Sequence, residues 1–287
     1  MTGVAAVLLS ATCFAMTSIL FKTAFNIGLT PFETLALQSW LASVLLAFYA
    51  LFLKREVFKV SAKTLGVLAF QGIFGSLGTS VLYAYALIHL PVSVAILLLY
   101  LYPALVLGAG VLFWHRPVSR QEVLALLLTL MGTLLASGVL AGVGEVPLIG
   151  VLLGLASAVA YAIFNIVGEI ALRKVSPLAA MSFSQWFSSI GLILYIRGGW
   201  THISWNTPQI WWIGIALATI ASIFPFYFIL VGIQHIGSDQ AAILSTFELP
   251  MTFLLAALVL REFPAWNQWL GGALVLAGLV LLNRNPN

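Results

Sequence analysis

Along the chain, apolar runs of about 20 residues alternate with short polar breaks, and this alternation predicts helices that cross a membrane. Ten such runs can be drawn, at about 4–23, 32–53, 64–88, 91–113, 121–140, 148–171, 177–196, 209–233, 239–260 and 266–283. The runs are continuously apolar. Barrel strands would instead give segments of about ten residues alternating between lipid and lumen. Only helices and closed barrels satisfy their backbone groups inside lipid, so helices remain. Pro31, Pro91, Pro117, Pro147, Pro177, Pro208 and Pro264 each precede or open a run, as expected of a residue tolerated at a helix start. The expected fold is an all-α integral membrane bundle of ten transmembrane helices.

Charge then sets orientation. Charged residues make up 7% of the 287, against about 25% in a soluble domain, and mean hydropathy is +1.11. No stretch is long and polar enough for a separate aqueous domain, so function is expected inside the bilayer. With the N-terminus inside, nine of the 12 Lys and Arg residues fall on the cytoplasmic side: Lys54, Arg55, Lys59, Lys63, Arg116, Arg120, Arg173, Lys174 and Arg284. Lys22, Arg197 and Arg261 fall outside, and this bias predicts cytoplasmic termini. The block KREVFKVSAK is read as a topology signal, with binding of anionic lipid as its alternative. The basic residues flank apolar spans, so no face is offered to nucleic acid. The single cysteine, Cys13, lies in the first run, which excludes an internal disulfide. The N-terminus lacks a basic leader and an evident cleavage site, and is read as a retained first span.

The two halves of the chain resemble each other. YLYPALVLGAGVLFWHRP (100–117) laid over FELPMTFLLAALVLREFP (247–264) brings Pro103 onto Pro250 and Pro117 onto Pro264, both at a shift of 147. His89 falls on His235, and Pro31, Trp40 and Ser43 fall on Pro177, Trp186 and Ser189, each at a shift of 146. Ordered matches at nearly one offset argue for duplication of a five-helix unit, 1–143 and 144–287. Five is odd, so the two units are expected to be inverted, around a central cavity and with alternating access.

On these residues the chain resembles EamA-type carriers of the drug/metabolite transporter superfamily. The resemblance rests on Gly232, Ala242, Glu248, Pro250, Glu262, Gly271, Gly272 and Gly278, with Pro103 and Gly132 in the first half, and spans essentially the whole chain. It implies ten helices, cytoplasmic ends and a central cavity lined by helices 1 to 4 and 6 to 9. Two positions depart from the family's pattern: Leu249 separates the usual Glu-Pro pair, and His115 stands where the first repeat commonly has a glutamate.

Glu248 lies about ten residues into its run, near the bilayer centre. A centred ionic residue costs about 2.5–3.5 kcal/mol to insert, so it should face polar company. Ser245 and Thr252, at i−3 and i+4, share its stripe. The functional reading is a partner for a substrate ammonium or a proton-coupling carboxyl; the alternative is a neutral carboxyl bonded to a neighbouring helix near Pro250. Ser157, Tyr161, Asn165 and Glu169 recur every four residues and should also face inward, Ser157 as packing and Asn165 as either lining or helix glue. Gln38 and Gln185 adjoin Trp40 and Trp186, pairing amides with flat surfaces; the tryptophans, about nine residues into their runs, read as cavity residues, with interfacial anchors as the alternative. Tyr83, Tyr100 and Tyr102 are cavity candidates or packing residues. Trp205, Trp211 and Trp212 read as an interfacial belt, and Gly72, Gly75 and Gly78 as close helix contacts. Pro103 and Pro250 are candidate kinks for gating.

Catalytic chemistry is not legible. GxxxxGK[ST], HExxH and GxSxG are absent from the sequence, and His89, His115, His202 and His235 are too scattered for a ligand set. No cofactor, metal site or catalytic residue is expected. The chain reads as a secondary transporter of the inner membrane exporting a small organic metabolite, foremost an amino acid, with a coupling proton as a possible second partner. The alternatives are an exporter of cationic drugs and, from another class, an intramembrane enzyme.

Overall fold

The structure, a computed structural model, describes residues 2–141, 147–196, 208–261 and 264–283. Arg197, His202, Trp205, Glu262 and Arg284 lie outside the described residues. Every regular element among those described is helical: α1 (Gly3–Asn26), α2 (Pro31–Phe52), α3 (Ala62–His89), α4 (Val92–Trp114), α5 (Arg120–Ala136), α6 (Leu148–Leu172), α7 (Pro177–Ile196), α8 (Pro208–Ser245), α9 (Glu248–Leu255) and α10 (Trp266–Asn283). Seven of them, α1 to α4 and α6 to α8, are long and apolar enough to cross a membrane.

The other three expected spans differ for local reasons. α5 has 17 residues and opens on Arg120, Gln121 and Glu122. α10 begins Trp266-Asn267-Gln268 and ends on Asn283. The run 239–260 is divided: its first part continues from α8 beyond Gly237, where φ 80 and ψ 164 turn the chain, then the helix stops at Ser245 and resumes as α9, followed by a π-helical turn over Ala256–Leu260. α4 is broken in the same way between Leu99 and Tyr102.

Local sequence explains the helix starts. Thr30 caps α2 and Glu33 returns the bond, while Ser119 and Glu122 do the same for α5, so two of the few acids are spent as capping boxes. Outward-facing residues are apolar, with Phe52, Leu112 and Trp212 all more than 65% exposed, whereas Gln71, Ser157, Asn165 and Thr129 are buried. An apolar exterior around polar interior residues is what lipid as solvent selects.

The first five helices interleave with the last five. α1 packs on α8, α3 on α6, α2 on α7, the second part of α4 on the end of α8, and α5 on α10. Small residues permit the closest crossings. A Cβ on Gly132 would lie 2.5 Å from the Gly271 carbonyl oxygen, and one on Gly278 would lie 2.9 Å from that of Ala125. In α3, Gly72 abuts the Ser184 carbonyl and Gly75 the Phe164 backbone, as the spaced glycines suggested. The start of α1 rests against His235 and Ile236, which places it at the same end of the bundle as the Gly237 turn.

Candidate functional site

Glu248 occupies the first turn of α9, just after the break at Thr246 and Phe247. A helix start favours a negative charge through its unpaired N–H groups. Glu248 is half-buried, and Tyr100, which stands at the matching break in α4, has its hydroxyl within reach of the carboxyl. Tyr83, Tyr102 and Tyr161 lie within electrostatic range of it. Tyr102 donates to the Ala242 carbonyl at 3.2 Å and packs on Tyr161 with ring centroids 4.4 Å apart. The break thus gathers four tyrosines around one carboxylate. Ser245 and Thr252 turn their hydroxyls to the carbonyls of Ala241 and Glu248 in their own helices. Pro103 and Pro250 each fall in the first turn after a break.

The inward line on α6 has mixed roles. Ser157 and Asn165 are 0% and 1% exposed and donate to the carbonyls of Gly154 and Tyr161. Tyr161 joins the group around Glu248, and rings continue from it through Phe164 to Phe226.

Beyond Phe226 lies a second polar group. Gln185 donates to the Ser39 hydroxyl at 3.0 Å and the Ser189 hydroxyl at 3.2 Å, and accepts from Ser222 at 3.3 Å. Gln38 donates to the Ala221 carbonyl at 3.0 Å, while its Oε1 is buried with no protein partner. The two glutamines, with Ser76, Ser80, Ser188 and Phe226, line a cavity of about 50 Å³. Gln38 and Gln185 therefore share one cavity, while Glu248 keeps company with the tyrosines, and the ladder of aromatic rings runs between the two groups. Trp186 donates to the Ser43 carbonyl at 3.0 Å and stacks on Phe58 at 5.8 Å. Trp40 packs with α1 and α8 near Ile223. Both rings fill gaps between helices near, but not among, the residues of that cavity.

Ser39, Ser76, Ser80 and Ser222 escaped sequence reading because serine is common in membrane helices, and Ser43 and Ser189 were read only as a repeat match. The available signal was their spacing: Ser39 and Ser43 fall on Gln185 and Ser189 at the shift of 146. Asp239 was missed because, as the first residue of the run 239–260, it read as the polar edge of a span. It accepts from Arg116 at 2.9 Å, and Glu169 takes both guanidinium nitrogens of the same arginine. The bonds from Glu169, aided by Asp239, hold the Arg116 guanidinium above its usual range, so it stays charged.

Comparison with known proteins bears on the whole chain. The profile of the EamA-like transporter family matches residues 1–138 and 148–284. An uncharacterized transporter from Archaeoglobus fulgidus is 27% identical over 279 residues, covering 97% of this chain and 95% of the relative. The uncharacterized transporter YcbK of Bacillus subtilis is 26% identical over 270 residues, with 91% and 86% covered. A solved crystal structure superposes with a TM-score of 0.83 at 18% identity, covering 98% of this chain and 96% of the other, a likeness of fold.

Proposed function

Since the chain belongs to the EamA-like transporter family and is a multi-pass membrane transporter, we propose that it exports a small amine-bearing metabolite, foremost an amino acid, across the inner membrane by alternating access. The observation that carries this reading is the half-buried Glu248 ringed by Tyr83, Tyr100, Tyr102 and Tyr161. A carboxylate offers charge to an ammonium, and tyrosine faces add cation–π attraction. The carboxyl at a helix break can exchange Tyr100 for the ligand without unwinding a regular helix.

Alternating access draws support from symmetry between residues 1–143 and 144–287. Ala125 and Gly132 fall on Gly271 and Gly278 at the shift of 146, and Ala125 meets Gly278 while Gly132 meets Gly271. This reciprocity is the signature of a two-fold relation. π-helical turns recur at Gln71–Leu77 and Thr219–Ile223, and left-handed residues at His115 and Arg261. On this reading two inverted five-helix units, each with a broken helix, would hold Glu248 and its tyrosines between them. Nine against three basic residues support cytoplasmic termini.

A lipophilic cation is the second substrate class, favoured by the ring ladder through Phe164 and Phe226 and by an apolar cavity of about 470 Å³ between α2, α7 and α8. The test is Glu248→Gln in proteoliposomes with labelled phenylalanine. A hydrogen bond to a charged group contributes about 1.5–3 kcal/mol, so the variant should bind the amine roughly ten- to a hundredfold more weakly while keeping its melting temperature. Unchanged exchange with loss only of the response to a pH gradient would make Glu248 a coupling carboxyl instead. Competition by a quaternary ammonium but not by threonine would favour the cationic class.

A further inference from the structure

Polar groups inside lipid are costly, and those around the cavity between α2, α3, α7 and α8 take no part in the setting of Glu248. The polar wall comes from Gln38, Ser76, Ser80, Gln185, Ser188 and Ser222. Both halves of the chain contribute. Ser76 lies in the π-helical turn Gln71–Leu77 and Ser222 in the one at Thr219–Ile223, so two turns of this uncommon kind border one space. Turns of this type gather at functional sites.

The donors of the wall are committed to the protein itself. Gln38 gives Nε2 to the Ala221 carbonyl at 3.0 Å, and Gln185 gives Nε2 to the hydroxyl oxygens of Ser39 and Ser189 at 3.0 and 3.2 Å. Ser80 donates to the Ser76 carbonyl at 3.1 Å, and Ser222 to Gln185 Oε1 at 3.3 Å. Acceptors are left over. Gln38 Oε1 is buried with no protein donor, and the hydroxyl oxygens of Ser80 and Ser222 keep lone pairs. A buried acceptor without a donor is unfavourable, so this wall is complementary to a guest that brings donors. None of the described residues lining the cavity is charged. An ammonium would lose its water there without a counter-ion, and a carboxylate would meet acceptors in place of donors. A neutral hydroxylated guest meets neither objection. Phe32 and Phe226 offer apolar surface to its carbons. The volume, about 50 Å³, equals roughly three to five waters, which suits a polyol of three or four carbons.

We propose that this cavity is a second binding site, which takes a small neutral polyol whose hydroxyls donate to Gln38 Oε1 and to the serine oxygens. It is separate from the site at Glu248. The rings of Tyr161, Phe164 and Phe226 stand between the two, with successive centroids 6.1 and 5.2 Å apart, a span too long for one α-amino acid to bridge. The inference goes beyond the amine reading and stands on different residues.

The test is saturation-transfer NMR on the full-length protein in lipid nanodiscs, with glycerol, erythritol and threitol as probes. At least one polyol should bind the wild type. Ser80→Ala should weaken it by roughly two- to tenfold, the effect of one neutral hydrogen bond. Ser80→Leu, which fills the space, should abolish binding, and both variants should keep the thermal midpoint. Propylamine and acetate should not displace the polyol. No binding of any polyol by the wild type, or equal binding by the wild type and both Ser80 variants, would overturn the site; displacement by propylamine or acetate would overturn the neutral class. Glu248→Gln should retain the polyol while losing phenylalanine, and loss of the polyol from folded Glu248→Gln would overturn the separation of the two sites. Failure of the wild type to bind phenylalanine would reject the amine reading, and polyol binding in the same samples would still uphold this one.

Discussion

Tyr100 stands with its hydroxyl within reach of Glu248, and removing that hydroxyl separates its part from that of the ring. Tyr100→Phe keeps the ring and removes the donor. A neutral hydrogen bond contributes about 0.5–1.5 kcal/mol net, so the variant should change KM for an amino acid by roughly two- to tenfold, measured as counterflow at varied substrate, with folding retained. If ammonium binding must displace the hydroxyl, KM falls; if the hydroxyl positions the carboxylate for its ligand, KM rises. An unchanged KM would remove Tyr100 from the site. At this scale the sequence was legible where a residue was costly. Glu248 and Asn165 stand out because lipid penalises them, whereas the serines near Gln185 carry little penalty and acquire meaning only when α2, α7 and α8 bring them together. Trp40 and Trp186 illustrate a further limit, since depth in a run says that a ring is not at the interface but not which gap it fills.

Helix breaks dominate the next scale. Pro103 and Pro250 mark them, yet each break precedes its proline, at Tyr100–Leu101 and Thr246–Phe247, so the proline serves as a helix starter rather than an interior kink. Hydropathy alone joins the two pieces because both are apolar. The Gly237 turn, by contrast, falls in the break drawn between the runs 209–233 and 239–260. Small residues were easier to read. At the α5–α10 crossing, Gly132 admits no side chain: a Cβ would stand 2.5 Å from the Gly271 carbonyl oxygen. Gly132→Val should destabilise the bundle by about 1–3 kcal/mol, the usual cost of overpacking, seen as a lower thermal midpoint in detergent. Gly66, whose Cβ position is open, provides the control; equal midpoints for Gly132→Val and Gly66→Ala would contradict the crossing.

Across the whole molecule, the pairing of α1 with α8, α3 with α6 and α2 with α7 ties the two halves into one bundle. The sequence suggests a repeat through a shift of 146 to 147, because proline, histidine and tryptophan are uncommon enough to align in apolar sequence. Substrate identity was not legible at this scale, since one carboxylate and several tyrosines suit any small amine. Counterflow is the direct test of carrier-mediated exchange. Purified protein in sealed vesicles preloaded with unlabelled amino acids, without ATP, should accumulate labelled phenylalanine or threonine transiently above equilibrium. Uptake that never exceeds equilibrium, or that does not depend on the preloaded amino acids, would contradict an alternating-access amino acid carrier.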